Sequence, residues 1–395
     1  MNNYTNKGWI CQVFLKSFFF FHILHKPFTR ESDFPFIRPK KGQRGCKKTK
    51  TVIDYSWWDS ASPDRERSGK GETAMKSTSN LKNLKGSLIL SLCALIWGIS
   101  FAAQTAAAEH LPSFFINGFR SAIGALFLSV FLFIYSKIKK VAIFPKEPSE
   151  KKRFLKAGLF CGILLTISVN LQQFGIAAYP AGVASEARGG FLTALYVILV
   201  PMFAVFSKKK PSVLVWLAGV VALGGIFLLC FSGNFGGFYL GDVLMIACAF
   251  AFTFHIFAID KFGVGIFGPL LCMMQFFVCS ILSFVLSLAF GDFGTITAES
   301  FSAGLPYLLY VGIACSGIAY TLQIVGQKFA EPAVASLSMS LESVFAALGG
   351  WVLRGSVLSF REVVGCALVF LAILMAQIPE LHAQRLKNKN APEKV

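Results

Sequence analysis

Residues 170–175 read Asn-Leu-Gln-Gln-Phe-Gly and residues 321–326 read Thr-Leu-Gln-Ile-Val-Gly, so a similar stretch recurs after 151 positions. At the same offset, the Val-Ala-Ser of residues 183–185 returns at residues 334–336. Gly86 and Gly241 each open an apolar segment, and Ala94 corresponds to Ala249 within those segments. Several matches in the same order indicate that the chain contains two copies of one unit.

The composition is typical of a protein that crosses a membrane several times. Hydrophobic residues make up 55% of the 395 residues and charged residues 15%, whereas a soluble domain carries about 25% charged residues. The chain holds about 217 apolar residues, and ten membrane helices of about 20 residues need about 200. A soluble enzyme, a disordered chain and a small disulfide scaffold are therefore excluded. We interpret the ten cysteines as buried hydrophobic residues, because most lie in apolar runs and none forms a Cys-x-x-Cys pair.

Apolar segments of spanning length follow one another from Lys85 onward, and we predict an all-α polytopic membrane protein with ten transmembrane helices. The predicted spans are residues 86–107, 113–135, 155–177, 182–206, 212–231, 241–260, 268–290, 304–326, 332–353 and 359–378. Each copy then has five spans, an odd number, so the second copy has to lie upside down relative to the first. Two inverted five-helix repeats are typical of transporters that work by alternating access. A duplication retained only for packing is the alternative.

This organisation divides the chain into four regions. Residues 1–74 form a basic leader that we expect to be poorly ordered, residues 75–236 the first repeat, residues 237–380 the second repeat, and residues 381–395 a cytoplasmic tail. The apolar run of the leader, residues 14–24, is too short to span a membrane. Two interpretations stay open: the leader is a cytoplasmic arm that binds lipid headgroups, or translation begins at Met75 and the leader is not part of the native protein.

Lysine and arginine are distributed unevenly between the two sides of the predicted bundle. With Met75 in the cytoplasm, the cytoplasmic loops and tail hold most of them, and the opposite side holds only Arg354 and Arg361. This bias predicts a bacterial inner-membrane protein with both termini in the cytoplasm. The formal net charge of +18 accordingly indicates contact with an anionic lipid bilayer, and we expect no nucleic-acid partner. The oligomeric state stays open, with a homodimer as one alternative.

Four motifs carry a resemblance to a known family. They are Trp-Gly-Ile-Ser-Phe at 97–101, the arginine of Gly-Phe-Arg-Ser-Ala at 118–122, Phe-Leu-Thr-Ala-Leu-Tyr-Val at 191–197 with Pro201, and Leu-Glu-Ser-Val-Phe-Ala at 341–346. Over residues 82–380 the chain resembles the EamA-type family of the drug/metabolite transporter superfamily. The resemblance implies a ten-helix bundle with a central polar cavity that moves small metabolites across the inner membrane. Two departures stand out: Ser343 replaces a frequent proline, and Glu186 and Arg188 replace small or neutral residues.

A charged residue at the centre of a bilayer costs about 2.5–3.5 kcal/mol and needs a partner or a water-filled cavity. Four such residues lie within predicted spans: Arg120, Glu186, Arg188 and Glu342. At about 1.5 Å per residue, the first three reach a similar depth in the outer half of the membrane, together with the amides of residues 172 and 173. Glu186 and Arg188 lie about 200° apart around a helix. We therefore expect one of them to face the cavity and the other to pair with a neighbouring span, with a structural ion pair as the alternative for Arg188.

We predict two sets of site residues. The expected substrate-binding residues are Trp97, Arg120, Gln172, Gln173, Arg188, Gln275 and Gln323. The expected coupling residues are Glu342, near the middle of the membrane, and Glu186; a hydrogen-bonded contact between helices is the alternative for Glu342. Arginine offers five donors that suit a carboxylate or phosphate, whereas the second repeat presents neutral glutamines. We therefore expect a small organic anion or zwitterion, such as an amino-acid-like molecule, with protons as a coupling ion.

The interior aromatic residues and the missing motifs complete the prediction. Candidate cavity-lining aromatics are Trp97, Tyr196, Phe252, Tyr310 and Tyr320, and we interpret His255 as an interior imidazole with a hydrogen-bond partner. The sequence contains no His-Glu-x-x-His, no P-loop and no Gly-x-Ser-x-Gly motif. We expect no metal, no cofactor and no enzymatic activity, and an ATP-driven pump would need a separate subunit. The prediction is a secondary active transporter; the alternatives are a non-transporting sensor or assembly partner and, less favoured, a lipid-modifying membrane enzyme.

Overall fold

The computed structural model describes residues 72–203, 212–230, 238–327, 329–330 and 332–389. Nearly all of the leader, the basic residues 208–210 and the last six residues of the tail lie outside the described residues. Within the described ranges every regular element is helical. The helices are α1 (Glu72–Ala108), α2 (Ser113–Lys139), α3 (Pro148–Ala177), α4 (Ser185–Thr193), α5 (Tyr196–Phe203), α6 (Val213–Cys230), α7 (Leu240–Phe262), α8 (Gly268–Ala289), a 3₁₀ turn (Asp292–Thr295), α9 (Ala298–Leu309), a π-helix (Tyr310–Ala319), α10 (Tyr320–Gln327), α11 (Pro332–Arg354) and α12 (Phe360–Lys389).

A helical segment occupies each of the ten predicted span positions, but eight of those described are long and apolar enough to cross a membrane. These eight are Leu84–Ala108, Ser113–Lys139, Pro148–Ala177, Ser185–Phe203, Leu240–Ile259, Gly268–Ala289, Ala298–Gln327 and Phe360–Pro379. The apolar helix Val213–Leu229 is shorter. α11 carries polar residues at positions 338, 340, 342 and 343 and is not among these eight. The molecule is therefore an all-helical, multi-pass membrane protein, and the number of ten spans stays a prediction.

Two of the segments contain irregular helix. The fourth segment divides into α4 and α5, and Pro201 inside α5 cannot donate to the main chain one turn earlier. The eighth segment runs as α9, the π-helix and α10 without a gap. A π-helix is wider than an α-helix and is found mainly as single turns at functional sites. Both irregular segments contribute side chains to the site described below.

Helices of the first half pack against helices of the second half. α2 packs against α8, α3 against α7 and α8, α4 against α11, and α6 against α12. Glycines permit close approach between these helices: a Cβ at Gly158 would lie 2.3 Å from Met274 Cγ, and a Cβ at Gly162 would lie 2.6 Å from Val278 Cβ. Small residues are the usual means by which membrane helices come close together. The functional residues are thus held between two interleaved halves.

Buried and exposed apolar residues separate as expected for a helix bundle in lipid. A core of buried apolar residues joins α4 to α7, α11 and α12, and includes Leu192, Met245 and Ile373. Large apolar side chains also cover outward faces, for example Phe133 and Val220. Such surface would be unfavourable in water, and the hydrocarbon of a bilayer accommodates it.

Candidate functional site

One face of α1 presents Cys93, Trp97, Ser100 and Gln104 toward the interior. Steps of four, three and four residues keep these side chains on one side of a helix. The Ser100 hydroxyl donates to the Trp97 carbonyl oxygen at 2.6 Å, and Gln104 Nε2 donates to Ser100 Oγ at 3.2 Å. The sequence prediction missed Ser100 and Gln104, although their helical spacing from Trp97 could have identified them.

Gln104 connects α1 to two of the predicted residues, Arg120 on α2 and Gln173 on α3. Arg120 Nη1 donates to Gln104 Oε1 at 2.8 Å, and Gln173 Nε2 donates to the Gln104 carbonyl oxygen at 3.3 Å. All three side chains are buried. Arg120 Nε and Gln173 Oε1 find no hydrogen-bond partner in the part of the chain that the structure describes. One unused donor and one unused acceptor thus lie next to Gln104, which suits a polar ligand or water.

Main-chain carbonyl groups around the π-helix hold the Trp97 face of α1. Trp97 Nε1 donates to the Cys315 carbonyl oxygen at 3.1 Å, and Cys93 Sγ donates to the Ala319 carbonyl oxygen at 3.2 Å. The ring of Trp97 meets the ring of Tyr320 edge-on, with centroids 5.0 Å apart. A defined hydrogen bond and a ring contact therefore fix the orientation of the Trp97 indole.

The candidate aromatics separate into two groups. Trp97, Tyr196, Phe252 and Tyr320 are partly exposed although they lie in the interior, as side chains that line a cavity are. Tyr310 differs from the prediction, because it is buried and its hydroxyl donates to the carbonyl oxygen of residue 96 at 3.0 Å. Tyr310 thus joins the π-helix to α1 and does not line the cavity.

Glu342 lies in the middle of α11 and faces the interior of the bundle. Protein surrounds this residue, yet it keeps partial exposure, which is the combination expected at the wall of an internal cavity. Among the described residues, no hydrogen bond or ion pair reaches its carboxylate. Since an enclosed carboxylate without a partner is costly, the group is available to a ligand or a proton.

Arg120 and Glu342 border the same space. The charges of both residues act on Cys248, Cys315 and Tyr320. The charge of Glu342 also acts on Cys93 and Tyr196. One positive and one negative group therefore act on the same side chains of α7, the π-helix and α10, and we take the space between the two charges as the candidate cavity.

The remaining predicted glutamines occupy different environments. Gln275 Oε1 and His255 Nε2 lie 2.5 Å apart, and both side chains are buried. His255 is therefore an interior imidazole with a partner, as predicted. Gln172 is buried on α3, and Gln323 is partly exposed on α10. The structure joins Gln173 and Arg120 through Gln104, and it gives Gln275 a separate partner.

Glu186 lies in an ion pair at one end of the bundle. Its Oε1 is 3.2 Å from Arg354 Nε, and its Oε2 accepts a hydrogen bond from Ser356 Oγ at 3.0 Å. Arg354 also pairs with Glu109, directly after the last residue of α1. The partners of Glu186 thus come from the end of α11 and the loop that follows.

Arg188 lies in a second set of ion pairs. Its Nη1 is 3.1 Å from Asp242 Oδ2, its Nη2 is 3.1 Å from Glu362 Oε1, and its guanidinium group lies 5.2 Å from the centre of the Tyr239 ring. Both Glu186 and Arg188 are thus paired with residues of the second half, which agrees with the alternative of a structural ion pair for Arg188, and a cavity-facing role for either residue stays a prediction. The prediction missed Asp242 and Glu362, since they stand in the first turns of α7 and α12 and resemble loop charges.

α11 packs closely on α1 and α4, and this packing places Glu342. A Cβ at Gly98 would lie 2.5 Å from Phe345 Cβ and 2.8 Å from the Glu342 carbonyl oxygen. Ser343 Oγ donates to the Gly190 carbonyl oxygen at 3.1 Å. The departure from proline at position 343 therefore supplies a hydrogen bond between α11 and α4, and α11 runs without a break from Pro332 to Arg354.

The chemical groups that this site offers are a guanidinium group, a carboxylate, amides and aromatic rings. Within the described ranges, no group of three or more His, Cys, Asp or Glu residues could hold a metal ion. The described cysteines, among them Cys93, Cys248 and Cys315 near the two charges, are free thiols.

A multi-pass helical bundle that encloses two opposite charges has the architecture of a membrane transporter. A family model for the EamA-like transporter family matches residues 84–231 and again residues 239–377, so the chain belongs to that family. It is also 27% identical over 304 residues to a protein of Archaeoglobus fulgidus named as an uncharacterized transporter, across 75% of this chain and 87% of that protein. A solved crystal structure with 18% identity matches the fold at a TM-score of 0.51, across 75% of this chain and 98% of that one.

Proposed function

We propose that the protein is a secondary active transporter that moves a small organic zwitterion or anion across the cytoplasmic membrane by alternating access. The observation that carries the proposal is the Glu342 carboxylate, to which the described residues offer no partner and which shares a cavity with the Arg120 guanidinium group. A charge held among membrane helices costs about 2.5–3.5 kcal/mol and is usually retained because it binds a substrate or an ion.

The two charges suit a substrate that carries both a carboxylate and an ammonium group. Arg120 supplies planar donors for a carboxylate, and Gln104 holds the guanidinium group in place. Glu342 would accept the ammonium group, and the rings of Trp97, Tyr196 and Tyr320 favour both apolar contact and a nearby cation. When the substrate leaves, a proton would take its place on Glu342, which couples transport to the proton gradient.

The contacts at one end of the bundle support inverted repeats. Arg354 pairs with Glu109 at the end of α1 and with Glu186 in the first turn of α4. Arg188 of the same helix pairs with Asp242 in the first turn of α7. α1 therefore ends where α7 begins. Since α1 opens the first repeat and α7 opens the second, this arrangement favours copies that run in opposite directions through the membrane.

The direction of α3 through the bundle supports a cytoplasmic position for the basic loops. Lys151, Lys152 and Arg153 stand near the start of this helix. Tyr179, two residues after its end, donates to Asp242 Oδ1 at 2.8 Å. The basic cluster and the ion-paired end thus lie at opposite ends of the bundle. Basic residues favour the cytoplasmic side, so we place the ion pairs on the outer side and both termini in the cytoplasm.

Transport by purified protein in proteoliposomes tests this function. The probes are radiolabelled zwitterionic amino acids and dicarboxylates, each tested with and without a pH gradient. We expect uptake of at least one zwitterion, and we expect Arg120→Ala to lower it at least about tenfold, because loss of about 1.4 kcal/mol of binding corresponds to that factor. Glu342→Gln should abolish the dependence of uptake on the pH gradient.

The matched control is Glu299→Gln, which neutralises an exposed carboxylate at the start of α9 and should transport like the original protein. Normal, gradient-dependent uptake by both Arg120→Ala and Glu342→Gln would rule out the proposed roles. Thermal stabilisation by a probe without any flux would indicate a sensor in place of a transporter.

A further inference from the structure

Four ion pairs, Arg188–Asp242, Arg188–Glu362, Arg354–Glu109 and Arg354–Glu186, lie together at one end of the helix bundle. The charges of α4 are central to these pairs and are deeply buried, with Glu186 1% exposed and Arg188 3% exposed. Asp242, which receives Arg188, is 0% exposed. The helices that meet here are therefore sealed by charged groups that have little contact with solvent.

The two ion pairs of α4 connect it to different neighbours. Glu186 pairs with Arg354 of α11, and α11 is also joined to α4 by the close approach of Gly190 to Ala346, where a Cβ would lie 2.5 Å from the alanine Cβ. Arg188 instead connects α4 to the first turns of α7 and α12 through residues 242 and 362. The first pair thus lies where α4 and α11 pack most closely, and the second connects α4 to two other helices.

The fourth segment, which consists of α4 and α5, is buried in its first half and partly exposed in its second half. All nine residues of α4, Ser185–Thr193, are buried. In α5, Tyr196–Phe203, Ile198 is the buried residue and the others are at least partly exposed. α4 is the half next to the ion pairs, and α5 leads away from them toward the opposite end. The fourth segment is therefore fully enclosed on the side of the ion pairs.

At the opposite end, hydrogen bonds connect α3 and α1 to residues of the second half. Arg153 Nη2 donates to the Gly265 carbonyl oxygen at 3.0 Å, and the hydroxyl oxygens of Ser87 and Ser338 lie 2.8 Å apart. The end that contains Arg188 is locked by buried ion pairs.

We propose that Arg188, with Asp242 and Glu362, forms the closed outer gate of the transport pathway, an inference that rests on the proposed alternating access. In this structure the ion pairs are formed and the gate is shut. To open the gate, α4 has to move away from α7 and α12. Arg188, Asp242 and Glu362 then lose their ion pairs and become hydrated. The pair of Glu186 and Arg354 travels with α4 and α11 and does not open.

Hydrogen exchange measured by mass spectrometry on the full chain in lipid nanodiscs tests the gate without any substrate. The decisive variant is Arg188→Gln, which removes the bridging cation and leaves two carboxylates facing each other. The matched control is Glu186→Gln, two residues away on the same helix and equally buried. Arg188→Lys serves as a second gate variant that retains the positive charge.

For Arg188→Gln we expect reciprocal changes at the two ends. Amides of residues 185–193 and 240–246 should exchange at least about tenfold faster, which corresponds to a shift of 1.4 kcal/mol toward the open gate. Amides of residues 148–156 and 268–274 at the opposite end should exchange more slowly as that end closes. Arg188→Lys should fall between the original protein and Arg188→Gln, and Glu186→Gln should show no slowing at the opposite end.

Faster exchange at both ends of Arg188→Gln, or unchanged exchange at both ends, would overturn the gate, because the ion pairs would then serve only to hold the fold. The same reciprocal change in Glu186→Gln would also overturn it. The exchange measurement needs no substrate, so a failure to find flux in proteoliposomes leaves its outcome intact and bears on the proposed function alone.

Discussion

Replacing Gly98 by alanine tests how closely α1 has to approach α11 to build the candidate site. A Cβ at residue 98 would lie 2.5 Å from Phe345 Cβ and 2.8 Å from the Glu342 carbonyl oxygen, whereas ordinary contacts begin near 3.4 Å. The two helices would therefore have to separate by about 0.9 Å, the difference between the first and last of these distances. Main-chain and Cβ atoms obstruct the methyl group, so no change of side-chain rotamer can relieve the overlap.

The size of the effect follows from two opposing terms. Overpacking costs about 1–3 kcal/mol, and obstruction by the main chain places this substitution near the upper end. Alanine in a helix gains about 1 kcal/mol over glycine. The net destabilisation should be about 2 kcal/mol. Because Trp97 and Glu342 move apart with their helices, transport by Gly98→Ala should fall further than the loss of stability alone would cause.

Thermal unfolding in detergent, followed by tryptophan fluorescence, measures the effect. The matched control is Gly224→Ala on α6, because a Cβ there would meet nothing within 4 Å. We expect the control to be slightly more stable than the original protein, by up to about 1 kcal/mol. If Gly98→Ala proved as stable as Gly224→Ala, the close contact between α1 and α11 would be refuted, and with it the placement of Glu342 beside Trp97.

Three further predictions concern packing and orientation. Asn170→Ala should cost about 3 kcal/mol in thermal unfolding, since the Asn170 side chain makes hydrogen bonds to residues 117, 166 and 283 and each is worth about 1 kcal/mol; no change would mean that water replaces them. Ser343→Ala should cost about 1 kcal/mol through loss of the bond to Gly190, and a stability equal to that of the original protein would assign no role to this bond. A membrane-impermeant amine reagent should modify Lys140 in inside-out vesicles only, as read by mass spectrometry, and modification in intact cells would reverse the orientation.

The helical segments were predictable because a bilayer requires long apolar stretches, and the sequence displays them directly. The predicted boundaries erred where a helix continues into water. α3 begins at Pro148, seven residues before the predicted start, because the charged stretch 149–153 extends the helix beyond its apolar part. The fourth predicted span is divided at residues 194 and 195 into α4 and α5, and the apolar sequence at this point does not indicate the break.

The candidate site was predictable only in part. Arg120, Glu342 and Trp97 could be identified because isolated charges and a family motif mark them in the sequence. Gln104 was missed although it lies on the same face of α1 as Trp97, and its contacts with Arg120 and Gln173 become visible only in the structure. The partners of Arg188 lie 54 and 174 positions away in the chain. Such pairing is a property of the tertiary structure, so charge spacing within one helix could not distinguish a gate residue from a ligand-binding residue.

The close contacts of the fold decide which helices can move together. Glycines bring helices of the first half against helices of the second: Gly98 of α1 and Gly190 of α4 against α11, Gly158 of α3 against α8, and Gly225 of α6 against α12. Separating such surfaces would leave voids that neither lipid nor water fills well, whereas separated charges can be hydrated. A movement of one half against the other would break all of these contacts. An alternation of access in this fold therefore has to move bodies that each contain helices of both halves, with α1, α4 and α11 in one body and the Arg188 ion pairs at its edge.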